Sequence, residues 1–223
     1  MEAERLWWVG ASWIGYFLIH SLLAATAVKT HVGSVWPRAM PAYRLVYNGI
    51  ALILLPIPLW LAATDPGPYL WRWSGWLGWG AQFLDAVAIL GFLWSLRYYP
   101  LGEFLGSAPW RDRRGPDAGA GGLRISPMHR FVRHPWYFFG LALLWTQDMN
   151  PAWLLSAGLT TAYLMVGSRL EEGKLTERYG EAYRLYRKQV PGLLPLPWRR
   201  LSREQAAALE RAAAEEKNRP LGV

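Results

Sequence analysis

Three stretches of the chain, residues 6–28, 43–63 and 76–99, run for about 21 to 24 residues with very little charge. Crossing a bilayer as a helix takes ~20 apolar residues, so each is long enough to span one. Pro56 and Pro58 interrupt the second stretch, which membrane helices tolerate better than soluble ones. A fourth run, 136–147, is shorter. Asp148-Met149-Asn150-Pro151 turns it into a fifth, 152–168, so the two read as a helical hairpin with Pro151 opening the second arm. The chain contains 15 Trp, and aromatic residues crowd the ends of the runs (Trp7, Trp8, Tyr43, Trp71, Trp73, Trp76, Tyr98, Tyr99), as an interfacial belt requires. The expected fold is all-α, a polytopic membrane protein with five transmembrane helices in one integral membrane domain, 1–223. It divides into a three-helix N-terminal part (1–106), a cytosolic loop (107–128), a hairpin and exit helix (129–198) and a soluble helical tail (199–223).

The charge map orients this domain. Lys and Arg number 24 against 16 Asp and Glu, a formal charge of +8. All but Arg5 and Arg72 fall in 29–44, in 97–133 or from Arg169 onward, the connections that five spans place on one side. The positive-inside rule then puts the N-terminus outside and the tail in the cytoplasm, as for a protein of a bacterial inner membrane. So distributed, the basic excess is not a nucleic-acid signature, and the expected partners are a lipid bilayer and a small-molecule or lipophilic ligand. With no cysteine and only four histidines, disulfides, thiolate zinc sites and cysteine nucleophiles are excluded, and no metal site is expected. The non-basic flank Met1-Glu2-Ala3-Glu4-Arg5 marks the first run as a retained span rather than a cleaved signal. Asp117-Ala-Gly-Ala-Gly-Gly122 reads as part of a flexible loop. A phosphate cradle would need a strand before it and Lys-Ser/Thr after it.

The densest polar pattern lies between Met128 and Pro195. It begins Arg133-His134-Pro135-Trp136-Tyr137-Phe-Phe-Gly140. Pro135 suits a first helical turn, placing His134 near the N-cap, where free N–H groups and the helix dipole favour a carboxylate or phosphate. The structural alternative is a proline-started membrane helix with a snorkelling Arg at its mouth. Its counterpart follows the fifth run: Glu171-Glu172-Gly-Lys-Leu175, then Tyr179-Gly180-Glu181-Ala-Tyr183-Arg184-Leu-Tyr186 and Val190-Pro191-Gly-Leu-Leu194-Pro195. At helical spacing Tyr179, Tyr183 and Tyr186 share a face. The carboxylates suit a cationic group or ribose hydroxyls, and the tyrosines an aromatic base. An interfacial amphipathic helix with Glu–Arg pairs such as Glu181–Arg184 is the plainer alternative. Because the hairpin returns the chain to the side it left, Arg133-His134 and Glu171-Glu172 are expected to meet at the cytosolic membrane face. S-adenosylmethionine, with its carboxylate, sulfonium, ribose and adenine, matches such a site.

Taken together, these motifs resemble an ordered series found in the integral-membrane methyltransferase superfamily of isoprenylcysteine carboxyl methyltransferases, phospholipid methyltransferases, methanethiol S-methyltransferases and NnrU-like proteins. The resemblance is close over about 70 residues and looser around His20-Ser21-Leu-Leu and Tyr43-Arg44-Leu-Val-Tyr47-Asn48. It departs at Pro127-Met128-His129, where Gly-Pro-Tyr is common in the family. It implies S-adenosyl-L-methionine as methyl donor, bordered by Arg133, His134, Pro135, Tyr137 and Gly140 from the hairpin and by Glu171, Glu172, Leu175, Tyr183 and Tyr186 from the exit helix. It further implies in-line methyl transfer to a thiol, amine or carboxylate, with His134 or Glu171 assisting a thiol or amine acceptor that must lose a proton.

Polar residues within the runs are candidates for the acceptor's path: His20, Asn48 and especially Asp85, with Tyr98 at the third run's cytosolic end. A carboxylate as deep as Asp85 is costly and functional by default, unless it serves as a packing partner for His20, Asn48 or Gln82. Near the C-terminus, Ser202 and Gln205 form a capping box opening a tail helix over 202–218. Two other functional classes compete with methyl transfer: a small transporter or channel, supported by Asp85 and His20, and an NADPH-dependent membrane reductase sharing part of the motif series.

Overall fold

The computed structural model describes residues 2–64, 67–115 and 121–218, so residues 117–120 of the glycine-rich loop lie outside it. Ten α-helices follow one another among the described residues: α1 (Glu2–Ala24), α2 (Thr26–Val35), α3 (Tyr43–Leu54), α4 (Pro56–Ala63), α5 (Gly75–Ser95), α6 (Leu101–Leu105), α7 (Ser107–Arg111), α8 (Pro135–Trp145), α9 (Pro151–Gln189) and α10 (Arg203–Asn218). Among the described residues there is no strand, only an isolated antiparallel bridge between Trp71 and Met149.

Ala3–Ala24, Pro37–Ala63 and Gly75–Tyr98 are long and apolar enough to cross a membrane, and only 11%, 11% and 17% of their most apolar windows are buried. A folded chain showing that much apolar surface needs hydrocarbon around it, and the protein is an integral membrane protein. In the second of these segments α3 gives way to α4 at Leu55. Pro56 has no N–H for the Leu52 carbonyl four residues back, so the helical ladder loses one rung there. The fourth apolar run forms α8, eleven residues long, and the fifth is the first half of α9.

The chain divides into two compact units. The first takes residues 1–81, 99–120 and 147–160. Its core joins Val9 and Trp13 of α1, Ala62 of α4 and Ala152 of α9, surrounded by leucines and aromatics. The Trp13 indole N–H donates to the Ser156 hydroxyl at 2.8 Å. The connection before α5 is pinned to the turn before α9: Leu70 N–H donates to the Met149 carbonyl (2.8 Å), Met149 N–H to Trp71 (3.1 Å), and Trp73 N–H to the Asp148 carboxylate (2.9 Å). Asn150 then caps α9, its side-chain oxygen accepting from Trp153 N–H at 2.9 Å. The expected hairpin turn is therefore a capped helix start.

The second unit takes residues 82–98, 121–146 and 161–223. Its core is built on Tyr179, Tyr183, Tyr186 and Val190 of α9 and the segment after it, closed by Leu201 and by Ala206, Leu209 and Ala213 of α10. The Ser202–Gln205 capping box is present in both directions, at 2.7 and 3.0 Å. Helix α10 is thus a packed part of this unit, not a detached tail.

Within α9, Gly180 adopts φ 51°, ψ −131°, outside helical geometry and in a region that favours glycine. The Glu216 carboxylate of α10 accepts from the Glu181 N–H just beyond the break, at 3.3 Å. This interruption corrects the expected single helical face of Tyr179, Tyr183 and Tyr186. All three side chains are buried in one core, Tyr179 just before the break and Tyr183 and Tyr186 at helical spacing beyond it.

Candidate functional site

The second unit brings the two halves of the motif series together around one carboxylate. At the entry to α8, the backbone of Arg133 and His134 runs beside Pro191 and Gly192: Arg133 N–H donates to the Pro191 carbonyl (2.8 Å) and His134 N–H to the Gly192 carbonyl (3.0 Å). Pro135 occupies the first helical turn, as its missing N–H and fixed φ favour. With both backbones fixed, the Arg133 and His134 side chains are directed onto α9. Glu172 receives them. Its Oε1 accepts from Arg133 Nε (2.8 Å) and pairs with His134 Nε2 (3.0 Å), and its two oxygens also form ion pairs with Arg133 Nη2 (2.7 Å) and Arg187 Nε (3.1 Å).

Glu172 is only 3% exposed, so an unpaired charge there would be very costly. Burial alone pushes its pKa up, but the hydrogen bonds from His134 and Arg133, with their charges, prevail and hold the carboxyl below its ordinary value. Arg133 also donates to the carbonyls of Arg187 (3.0 Å) and Val190, closing the C-terminal end of α9. At Gly192 a Cβ would stand 3.2 Å from the Arg133 guanidinium, so glycine here is the room that lets the guanidinium reach Glu172.

Glu171, one residue earlier, points the other way and its side chain is 50% exposed. Its Oε2 lies 3.5 Å from the Tyr137 hydroxyl and 3.6 Å from His134 Nδ1. The His134 and Tyr137 rings stack nearly parallel, 10° apart with centroids at 5.2 Å. No side chain caps the start of α8, because the His134 imidazole is committed to Glu172. The arrangement is therefore a buried ion-pair knot, His134 included, beside the half-exposed Glu171 carboxylate and the Tyr137 phenol at the start of α8.

The remaining expected cofactor residues divide between support and surface. Tyr183 and Tyr186 lie in the core behind the knot, edge to face at 5.6 Å, and the Tyr186 hydroxyl donates to the His129 carbonyl at 2.6 Å. Burial, reinforced by the negative charge of Glu172, raises the Tyr183 pKa and keeps its phenol neutral. Leu175 is half-buried against the same core, and Gly140 faces open space. Sequence reasoning missed Arg187 and Gly192 as contributors. Gly192 had a trace in the Val190-Pro191-Gly motif, whereas Arg187 stood out from neighbouring basic residues in no way.

The four acceptor-path candidates fall in different places. In the first unit, His20 Nε2 lies 2.6 Å from the Tyr47 hydroxyl, and Asn48 donates to the carbonyls of Phe104 (3.0 Å) and Leu105 (3.1 Å). In the second unit, Asp85 accepts from the Thr146 hydroxyl, a partner not among those expected, and Tyr98 packs edge-on against Trp94.

No family model and no solved structure matches the chain. Curated relatives do. The chain is 31% identical to the methanethiol S-methyltransferase of a Pseudomonas species over 206 residues, covering 83% of this chain and 76% of that one. It is 30% identical to the methanethiol S-methyltransferase of Pseudomonas deceptionensis, covering 79% and 67%. Nurim of Xenopus laevis is 27% identical over 70% of this chain and 57% of its own. An all-helical membrane protein whose polar motifs converge at one helix start is thereby placed among the membrane methyltransferases. The chain belongs to the integral-membrane methyltransferase superfamily that includes the methanethiol S-methyltransferases. This membership decides between the three functional classes in favour of methyl transfer.

Proposed function

We propose that the chain transfers a methyl group from S-adenosyl-L-methionine to the sulfur of a small thiol, methanethiol by analogy with its relatives, at the cytosolic face of the membrane. The observation that carries the reading is the pairing of a buried, fully partnered Glu172 with an accessible Glu171 beside His134. The site fits the donor's chemistry: the Glu171 carboxylate suits a cationic group, the uncapped start of α8 suits a carboxylate, and Tyr137 and Leu175 offer an aromatic and an apolar surface. When bound, S-adenosylmethionine supplies an activated methyl group on a sulfonium. The residues of this chain do the rest. Arg133, Arg187 and Glu172 hold the imidazole of His134 in place. In the tautomer that donates from Nε2 to Glu172, His134 presents its Nδ1 lone pair toward Glu171. Either group can then take the proton that a thiol must lose before its sulfur attacks. Methylation of methanethiol would form its new S–CH3 bond as the donor's S–CH3 bond breaks, giving dimethyl sulfide and S-adenosylhomocysteine, with that proton left on the enzyme and passed to water.

The charge map supports the proposed orientation. The pairing of residues 70–73 with 147–149 supports one shared end for the second and fourth connections. In the first unit, Arg44 donates to the Glu103 carbonyl at 2.9 Å. In the second, residues 129–134 pair with 186–192 and 201. The basic charge of these segments supports a cytosolic location for each of them, and five spans remain our reading. Asp85 and His20 remain our candidates for the acceptor's route.

The test is direct. Detergent-solubilised protein supplied with S-adenosylmethionine and methanethiol should release dimethyl sulfide, measured in the headspace by gas chromatography, and should bind S-adenosylhomocysteine by calorimetry. Glu171→Gln should lower turnover by roughly 10²-fold or more and leave the melting temperature close to wild type. Absence of S-adenosylhomocysteine binding by the wild type would refute the reading.

A further inference from the structure

The first unit holds a cleft of about 630 Å3 lined by Pro37, Arg38, Pro41, Ala42, Trp110 and Arg113. Its charge is one-sided. Two neighbouring arginines are matched: Arg114 pairs with Glu103 and with Asp112, and Arg111 with Asp112. Among the described residues, the cleft's lining includes Arg38 and Arg113 and no acidic residue. Two like charges facing one concavity raise the local potential and favour an anion.

The backbone at Arg113 adds an independent observation. Helix α7 ends at Arg111, and Arg113 follows its C-cap with φ 52°, the one described non-glycine residue with positive φ. Glycine or asparagine ordinarily occupies that left-handed position after a helix, because a β-carbon is disfavoured there. An arginine held in that conformation delivers its side chain to the cleft at a conformational cost. Such a cost points to use.

The surroundings indicate which anion. The cleft's Pro37–Ala42 wall opens the membrane-crossing segment Pro37–Ala63. Trp36, immediately before it, is 63% exposed, and Trp110 is 58% exposed. Exposed tryptophan beside arginine at the mouth of a span is the chemistry of the headgroup layer. We infer that Arg38 and Arg113, floored by the two prolines and flanked by Trp110, bind the headgroup phosphate of an anionic phospholipid.

Native mass spectrometry of the detergent-solubilised full chain tests this, with phosphatidylglycerol, phosphatidylcholine or inorganic phosphate added. Wild type should retain phosphatidylglycerol at least fivefold better than phosphatidylcholine, and inorganic phosphate should not displace it. Arg38→Gln/Arg113→Gln should lose that preference, whereas Arg72→Gln should keep it. Arg113→Gly removes the guanidinium while relaxing the backbone, so it should fold as well as wild type and still lose most of the preference. Retention of the preference by Arg113→Gly and the double variant would overturn the inference, as would equal binding of the two lipids. Displacement by inorganic phosphate would show a soluble-anion site instead.

Discussion

The two units use polar side chains in opposite ways. In the first, several polar groups within the apolar segments each meet a nearby need. Tyr43 donates to the Leu23 carbonyl (2.7 Å), Asn48 to the carbonyls ending α6, Trp13 to Ser156. In the second, Arg133, His134 and Arg187, from separate parts of the chain, converge on the single carboxylate of Glu172. A group that satisfies a carbonyl holds two helices together. Under the proposed function, a group that joins a network with an exposed carboxylate beside it holds a reactive geometry in place, with its conformational cost met during folding rather than during turnover. Polarity inside a membrane protein is thus not by itself a mark of a site; convergence is.

The largest expected effect breaks the knot itself. Glu172→Ala leaves Arg133, His134 and Arg187 facing a buried void without their carboxylate, which should cost about 3–5 kcal/mol and most of the folded yield. Fluorescence-detected size exclusion of the solubilised variant measures it. Glu171→Gln, one residue away, should leave yield unchanged. If the two variants behave alike, the distinction between supporting knot and reacting carboxylate is wrong.

Acid should separate the units next. His129 sits beneath the site, its Nδ1 2.7 Å from the Ser126 hydroxyl. Burial first, and then the charge of His134, push its pKa from 6.5 down to about 4. The unfolded chain therefore takes up this proton before the folded one. The contribution to stability is complete above pH 6.5 and is lost as pH falls toward 4, by on the order of 3 kcal/mol. Glu172, with its lowered pKa, adds a loss in the same direction at still lower pH, as it is protonated in the fold. Thermal unfolding followed between pH 7.5 and 5 should show a falling midpoint, and His129→Gln should flatten that slope. An unchanged slope in the variant would remove His129 as its cause.

Much of this contrast was readable before any coordinates. Asn150-Pro151 and Ser202–Gln205 announce their helix starts because capping is written in adjacent residues. The meeting of 133–134 with 171–172 followed from the hairpin's return. What escaped was whatever depends on backbone carbonyls or on bends. Arg133 is held by the carbonyls of Arg187 and Val190, which any residue could supply, so no side-chain pattern marks them. Glu171 and Glu172 looked equivalent because neighbouring residues on a helix carry no sign of which one faces inward. The φ of Gly180 broke a periodicity that counting by turns assumed to be continuous.

The smallest predicted effect lies in the first unit, and its smallness sharpens the comparison. Ser156→Ala removes the acceptor of the Trp13 indole N–H without changing side-chain volume much, in a site where Ser156 is fully buried. In a soluble core, an indole N–H left so would cost ~1–3 kcal/mol. In a bilayer the expectation is about 0.6 kcal/mol and at most ~1.7, because the separated helices also find partners for these groups. Ser156 illustrates the point within the fold, since its hydroxyl already donates to the Ala152 carbonyl of its own helix at 2.8 Å. Unfolding of the variant in mixed micelles should therefore shift only slightly, while S-adenosylhomocysteine affinity stays at the wild-type value. A large loss of affinity would mean that the first unit's hydrogen bonds carry the site's geometry, and the division of labour between the units would fail.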